Sequence, residues 1–180
     1  MRYEIRLSGS GGQGLILVGL ILAEALALNK DRYVVQTESY DPEARGGSSK
    51  SDIIFSDTEI LYPKARRLNL LLALSQRACD EYQGDLTPEG ILIVDSGHVK
   101  KYPEKAISLP LSATSRQNFN TEMFTNIISL GVISAITEVV ILDELRSVLP
   151  LLVPRKTFWT NTKALNLGGQ LGERWKAKNS

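Results

Sequence analysis

The segment Ser8-Gly9-Ser10-Gly11-Gly12-Gln13-Gly14 constrains this chain more than any other. So many glycines favour neither a continued strand nor a helix, so they mark a sharp change of direction. Before them, Tyr3-Glu4-Ile5-Arg6-Leu7 alternates polar and apolar residues and predicts a strand; after them, Leu15 to Leu28 is built of strong helix formers and predicts a helix covered on more than one face. Gly9, Gly11 and Gly14 fit the pattern G-x-G-x-x-G in the strand–turn–helix setting that its physics demands. Free backbone N–H groups and the positive end of the helix dipole would favour a phosphate or carboxylate held by Gly9, Gly11, Gly12, Gln13 and Gly14. The competing reading is a tight turn that only packs. Leu15 follows Gly14 where a Walker loop requires lysine, which disfavours nucleotide hydrolysis by that route. An acid for the ribose of a nicotinamide cofactor is expected about 20 residues on, and Glu38 falls late for it.

Further along, Tyr33–Glu38, Ser51–Ser56, Leu70–Leu74 and Ile91–Val94 read as strands, the last two as parallel strands buried on both faces. Gln76–Tyr82, Thr121–Thr137, Leu142–Leu149 and Trp159–Leu167 read as helices, and residues 169–180 as a frayed tail. This alternation predicts an α/β fold: one domain over residues 1–180, three layers, with a Rossmann-like, doubly wound and mostly parallel sheet. Ligands of such sheets bind beyond the carboxyl ends of the strands. Three further groups of candidates stand at such places or close to them. The loop Tyr40–Ser49 carries Arg45, Gly46 and Gly47, and reads equally as a surface loop or as a ligand or subunit contact. Asp95 and Ser96 follow a strand, with His98, the only histidine, expected at the surface. Asn126 interrupts an apolar stretch and must either be satisfied locally or meet a ligand.

Charge narrows the partners: 21 Lys and Arg against 20 Asp and Glu leave no electrostatic footprint for nucleic acid or a membrane surface. The lone Cys79 rules out an intrachain disulfide or an iron–sulfur site built from this chain's thiolates, and reads as a packing residue. With one histidine no catalytic dyad or triad assembles, so neither catalytic nor metal-binding residues are assigned. The start of the chain lacks the basic-then-apolar order of a signal peptide and no apolar run reaches ~20 residues, which predicts a cytoplasmic protein.

Gly9 to Gly14, then Tyr40-Asp41-Pro42-Glu43-Ala44-Arg45-Gly46-Gly47 leading into Ser51-Asp52-Ile53-Ile54-Phe55-Ser56-Asp57, resemble the γ subunit of the 2-oxoacid:ferredoxin oxidoreductases. Tyr62-Pro63-Lys64, Ile93-Val94-Asp95-Ser96, Leu130-Gly131 and Asn161 with Ala164-Leu165 extend the resemblance over nearly the whole chain. Asp41, where related chains often carry glycine, and Ser112 to Asn120 depart from it. The resemblance implies a subunit of an enzyme that oxidatively decarboxylates a 2-oxoacid to an acyl-coenzyme A and reduces ferredoxin, most like the 2-oxoglutarate type. It implies that thiamine diphosphate, magnesium and iron–sulfur clusters belong to partner subunits, and that coenzyme A is accommodated at this chain's surface, with its pyrophosphate at Gly11 to Gly14 and Arg45 nearby. A stand-alone NAD or flavin oxidoreductase and a purely structural subunit remain the alternative readings.

Overall fold

The computed structural model describes residues 1–40 and 48–179. Six strands form one sheet in the order β2-β3-β1-β4-β5-β6: β1 Arg2–Ser10, β2 Tyr33–Tyr40, β3 Ser48–Ser56, β4 Leu68–Ala73, β5 Leu86–Asp95 and β6 Ile107–Leu109. β1, β4, β5 and β6 are mutually parallel, as the short apolar runs predict. β3 runs antiparallel to both neighbours and lies between β2 and β1. The physical reason is length: only residues 41–47 separate β2 from β3, whereas a parallel return needs a dozen or more. The sheet is therefore mostly parallel with one reversed strand.

Among the described residues there are six α-helices: α1 Leu15–Ala27, α2 Gln76–Tyr82, α3 Leu111–Phe119, α4 Thr125–Thr137, α5 Leu142–Leu152 and α6 Phe158–Asn179. Strand alternation sends Ile5, Leu7, Ile53, Phe55, Leu70 and Leu72 to one face, where they pack against α1, α4, α5 and α6. Ile54, Leu71, Ala73 and Leu92 face the other way, under α2 and irregular chain that includes Ala65 and Val99. The three layers are thus unequal. Cys79 is buried in the thinner layer, as a packing residue should be, and burial pushes its thiol pKa up.

Charged side chains also point into the thinner layer. Arg6 is 4% exposed; its guanidinium forks onto Asp52 at 2.7 and 2.8 Å, reaches Asp85 at 2.7 Å, and lies 4.6 Å from the Tyr82 ring centroid. One side chain so ties β1 to β3 and to the turn after α2.

The expected tail from residue 169 is instead the second half of α6, which runs unbroken to Asn179. Gly168, Gly169 and Gly172 are buried, and a Cβ on Gly168 would overlap the Ile128 carbonyl oxygen of α4. Close backbone approach overrides the low helix propensity of glycine. β6 and α3 are elements that sequence reasoning did not identify. Among the described residues no helix is long and apolar enough to cross a membrane.

Candidate functional site

The glycine turn sits at the carboxyl end of β1, where the strand continues through Gly9 to Ser10 before it bends. Gln13 builds the bend: its Oε1 accepts the Ser10 N–H at 2.8 Å and its Nε2 donates to the Leu74 carbonyl at 3.5 Å, pinning the turn to the end of β4. Gly9 leaves room for that amide, because a Cβ there would overlap Oε1. Gly12 and Gly14 have φ of 85° and 68°, a region costly for residues with a Cβ. Gly14 caps α1; no side chain caps the helix and no acid stands in its first turn, so its leading N–H groups have no side-chain partner.

Asn126, near the start of α4, meets this turn. Its Nδ2 donates to the Gly14 carbonyl at 3.3 Å, and its Oδ1 accepts the Ile127 N–H at 2.8 Å. Asn126 is 6% exposed, so the buried amide is satisfied, and it is satisfied by the predicted site itself.

Turn and α4 enclose a two-chambered cleft. The first chamber, about 290 Å³, has an apolar wall of Leu17, Phe124, Ile127, Val153 and Pro154, with Thr157 and Asn161 as its polar groups alongside Asn126. The second, about 270 Å³, is lined by Thr121, Glu122 and Thr125. Gly12, Gln13 and Met123 belong to both. A larger groove of about 760 Å³ runs between α4, α5 and α6, away from the carboxyl ends of the strands. Of its lining residues, Arg146 is engaged by Asn166 and Asp143, and Glu138 and Glu173 by Lys176.

Asp95 and Ser96 lie outside the lining of the two-chambered cleft. Asp95 is fully buried; its Oδ1 accepts the N–H groups of Gly97 at 3.3 Å and Ser112 at 3.1 Å, so it caps α3 from a distant part of the chain. Its Oδ2 has no hydrogen-bond partner and lies 4.0 Å from His98 Nε2. The Ser96 N–H donates to the Leu109 carbonyl, joining β5 to β6. Arg45, Gly46 and Gly47 lie outside the described residues.

His98 is exposed, as expected, but not isolated. Its Nε2 is 2.7 Å from Glu122 Oε2, while Arg116 pairs with Glu122 Oε1. The bond to His98, more than the charges of His98 and Arg116, holds the Glu122 carboxyl below the usual carboxylate range, against an opposing effect of burial. Sequence reasoning missed Glu122, Arg116 and Met123. Arg116 comes from Ser112 to Asn120, the stretch that departs from the family resemblance, and only the fold brings it to Glu122.

Among the described residues, Glu38 is not brought beside this turn. A ribose-binding acid stands at the end of a strand next to β1, but here β3 separates β2, with Glu38, from β1 by two strand spacings, about 10 Å. Among the described residues no three His, Cys, Asp or Glu side chains are grouped to hold a metal ion.

The sequence profile of the pyruvate ferredoxin/flavodoxin oxidoreductase family matches residues 4–171. The 2-oxoglutarate synthase subunit KorC of Methanocaldococcus jannaschii is 38% identical over 178 residues, spanning 96% of this chain and 95% of that protein. The crystal structure of the γ subunit of a keto/oxoacid ferredoxin oxidoreductase from Geobacter sulfurreducens is similar at a TM-score of 0.85 and 39% identity, over 96% of this chain and 97% of that one. A 2-oxoglutarate:ferredoxin oxidoreductase from Magnetococcus marinus, with 2-oxoglutarate, coenzyme A and succinyl-CoA bound, shares the fold at a TM-score of 0.81 and 20% identity; 96% of this chain corresponds to 31% of that one.

Proposed function

The chain belongs to the pyruvate ferredoxin/flavodoxin oxidoreductase family, and from that premise we propose that it is the γ-type subunit of a 2-oxoglutarate:ferredoxin oxidoreductase whose cleft between the glycine turn and α4 receives part of coenzyme A. The observation that carries the cleft's role is its construction. Gly14, the boundary residue of a helix start without a side-chain cap, lines the same chamber as Leu17, Phe124 and Ile127, which suits an anionic group joined to a long, weakly polar arm. Coenzyme A has that composition. The neighbouring Glu122 stands in the second chamber, so the phosphates belong at Gly12 to Gly14 and the arm in the first.

In this reading the chain supplies binding surface and assembly, and the decarboxylation and electron transfer are carried by companion subunits holding thiamine diphosphate and iron–sulfur clusters. A single cysteine, and that one buried, does not fit a cluster held by this chain's own thiolates. The placement of Glu38 on β2, with β3 between it and β1, works against the NAD alternative.

Expression of a tagged chain in its native cell tests the proposal. Companion chains should co-purify, and the assembly should reduce a viologen dye with 2-oxoglutarate only when coenzyme A is present. In that assembly, coenzyme A should slow amide exchange over residues 12–17. A chain that emerges alone and folded, or one that binds NADH tightly, would overturn the subunit reading; unchanged exchange would overturn the cleft's role.

A further inference from the structure

Glu122 presents a difficulty for any anion in the cleft, because it sets a carboxylate on the wall that shares Gly12 and Gln13 with the first chamber. Its two oxygens are each engaged, Oε1 by Arg116 of α3 and Oε2 by His98 of the loop after β5. Arg116 is permanently charged. His98 is not, and it stands between two carboxylates, 2.7 Å from Glu122 and 4.0 Å from the buried, unpartnered Oδ2 of Asp95.

The charged groups facing the imidazole are therefore Asp95 from the end of β5 and Glu122 from the segment before α4, with Arg116 of α3 behind Glu122. Lys100, from His98's own loop, is turned to the Ser96 carbonyl at 2.6 Å. With a neutral imidazole, Asp95, Glu122 and Arg116 sum to one negative charge beside the glycine turn. With an imidazolium they sum to zero, and the added positive charge stands 2.7 Å from Glu122, which lines the cleft.

We propose that His98 is a positioning residue whose protonation offsets Glu122 and so makes the cleft's affinity for the phosphates of coenzyme A rise as pH falls. The inference rests on reading the cleft as part of the coenzyme A site. One proton is involved and no bond is made or broken.

The test uses the assembled oxidoreductase, with coenzyme A as the probe, in the parent, His98→Gln and Glu122→Gln forms between pH 6 and 8.5. At pH 6, His98→Gln should raise the KM for coenzyme A on the order of 3- to 10-fold, the effect of one unit charge several ångströms away in a partly hydrated site. The ratio of variant to parent KM should fall toward one at pH 8.5, and kcat should carry none of the effect. Glu122→Gln, which removes the repelling charge but keeps an acceptor, should lower KM severalfold at pH 8.5. A ratio for His98→Gln that is constant with pH, an effect confined to kcat, or a higher KM for Glu122→Gln would overturn the proposal. Amide exchange over residues 12–17 separates its failure from that of the broader reading: protection by coenzyme A with a flat ratio removes only the role of His98, and no protection removes the coenzyme A site.

Discussion

Asn126 donates to the carbonyl of Gly14, a residue 112 positions earlier whose φ is 68°. The bond locks the glycine turn to α4, and it leaves no space at Gly14 for a side chain, because a Cβ would stand 2.5 Å from Asn126 Nδ2. Gly12 has the same kind of backbone conformation, with φ 85°, but nothing lies within 4 Å of where a Cβ would stand. The two glycines thus separate conformational strain from crowding. Gly12→Ala should cost roughly 1 kcal/mol, the strain of a left-handed residue with a Cβ. Gly14→Ala should cost about 2 kcal/mol or more and displace Asn126. Urea denaturation of the two variants measures this, and equal losses would show that the Asn126 contact yields freely.

Acid should weaken the fold through Glu4. Its side chain is nearly buried at the edge of the thinner layer; burial raises its pKa, but the bond from Arg2 and the N–H groups of Arg67 and Arg66 prevail and hold it low. A folded-state pKa below the unfolded one contributes stability that is fully present above the ordinary carboxylate range, about 4.3, and is lost as pH falls through the folded value. Glu4→Gln should therefore be less stable than the parent at pH 7, with the difference shrinking below about pH 4.3. Denaturation midpoints between pH 7 and 3 give the comparison; a difference independent of pH would remove Glu4 from the account.

Local chemistry was legible in the sequence, and distant pairing was not. Strand β1, the glycine turn and α1 are contiguous, and their residues have one reasonable arrangement. β4 and β5 show themselves as continuous apolar runs because both of their faces are covered. β6, at three residues, is too short to carry a period, and α3 begins at Pro110 with no local cap, its cap being Asp95 across 17 residues. α6 continues through three glycines because α4 crowds Gly168 and Gly172, and Leu142 of α5 crowds Gly169. The same limit applies to the site. Its glycines and Asn126 were visible as separate candidates, whereas their meeting, and the arrival of Glu122 and Arg116, depend on the fold.

The buried fork of Arg6 on Asp52 should be costly to halve and cheap to remove. Asp52→Ala leaves Arg6, 4% exposed, with Asp85 as its remaining carboxylate, and should cost about 3 kcal/mol, the lower end of what a broken buried pair loses. Replacing both partners by apolar residues, Arg6→Met with Asp52→Leu, removes the desolvation cost together with the attraction and should be less destabilising than the single change. A double variant worse than Asp52→Ala would mean that the link from Arg6 to the Ala65 carbonyl and Asp85 matters more than the pair.

The contact of α4 with α6 allows the sharpest test of close packing. A Cβ on Gly131 would overlap the Leu165 carbonyl oxygen and would stand 2.6 Å from the Gly169 nitrogen, so the obstruction is backbone on the facing helix rather than a side chain that can turn aside. Relief requires the two helices to separate, and α4 is buried on nearly every side, between α6 and the core of the main layer. Helix propensity alone would make Gly131→Ala stabilising by up to about 1 kcal/mol. Overpacking against backbone opposes this with about 3 kcal/mol or more, so the net change should be a loss of at least about 2 kcal/mol. Gly84→Ala, where nothing lies within 4 Å of the added carbon, serves as the comparison and should change stability by less than about 0.5 kcal/mol. Thermal melts of the two variants decide the matter: a stabilised Gly131→Ala would mean that the helices part at little cost and that their glycines are dispensable.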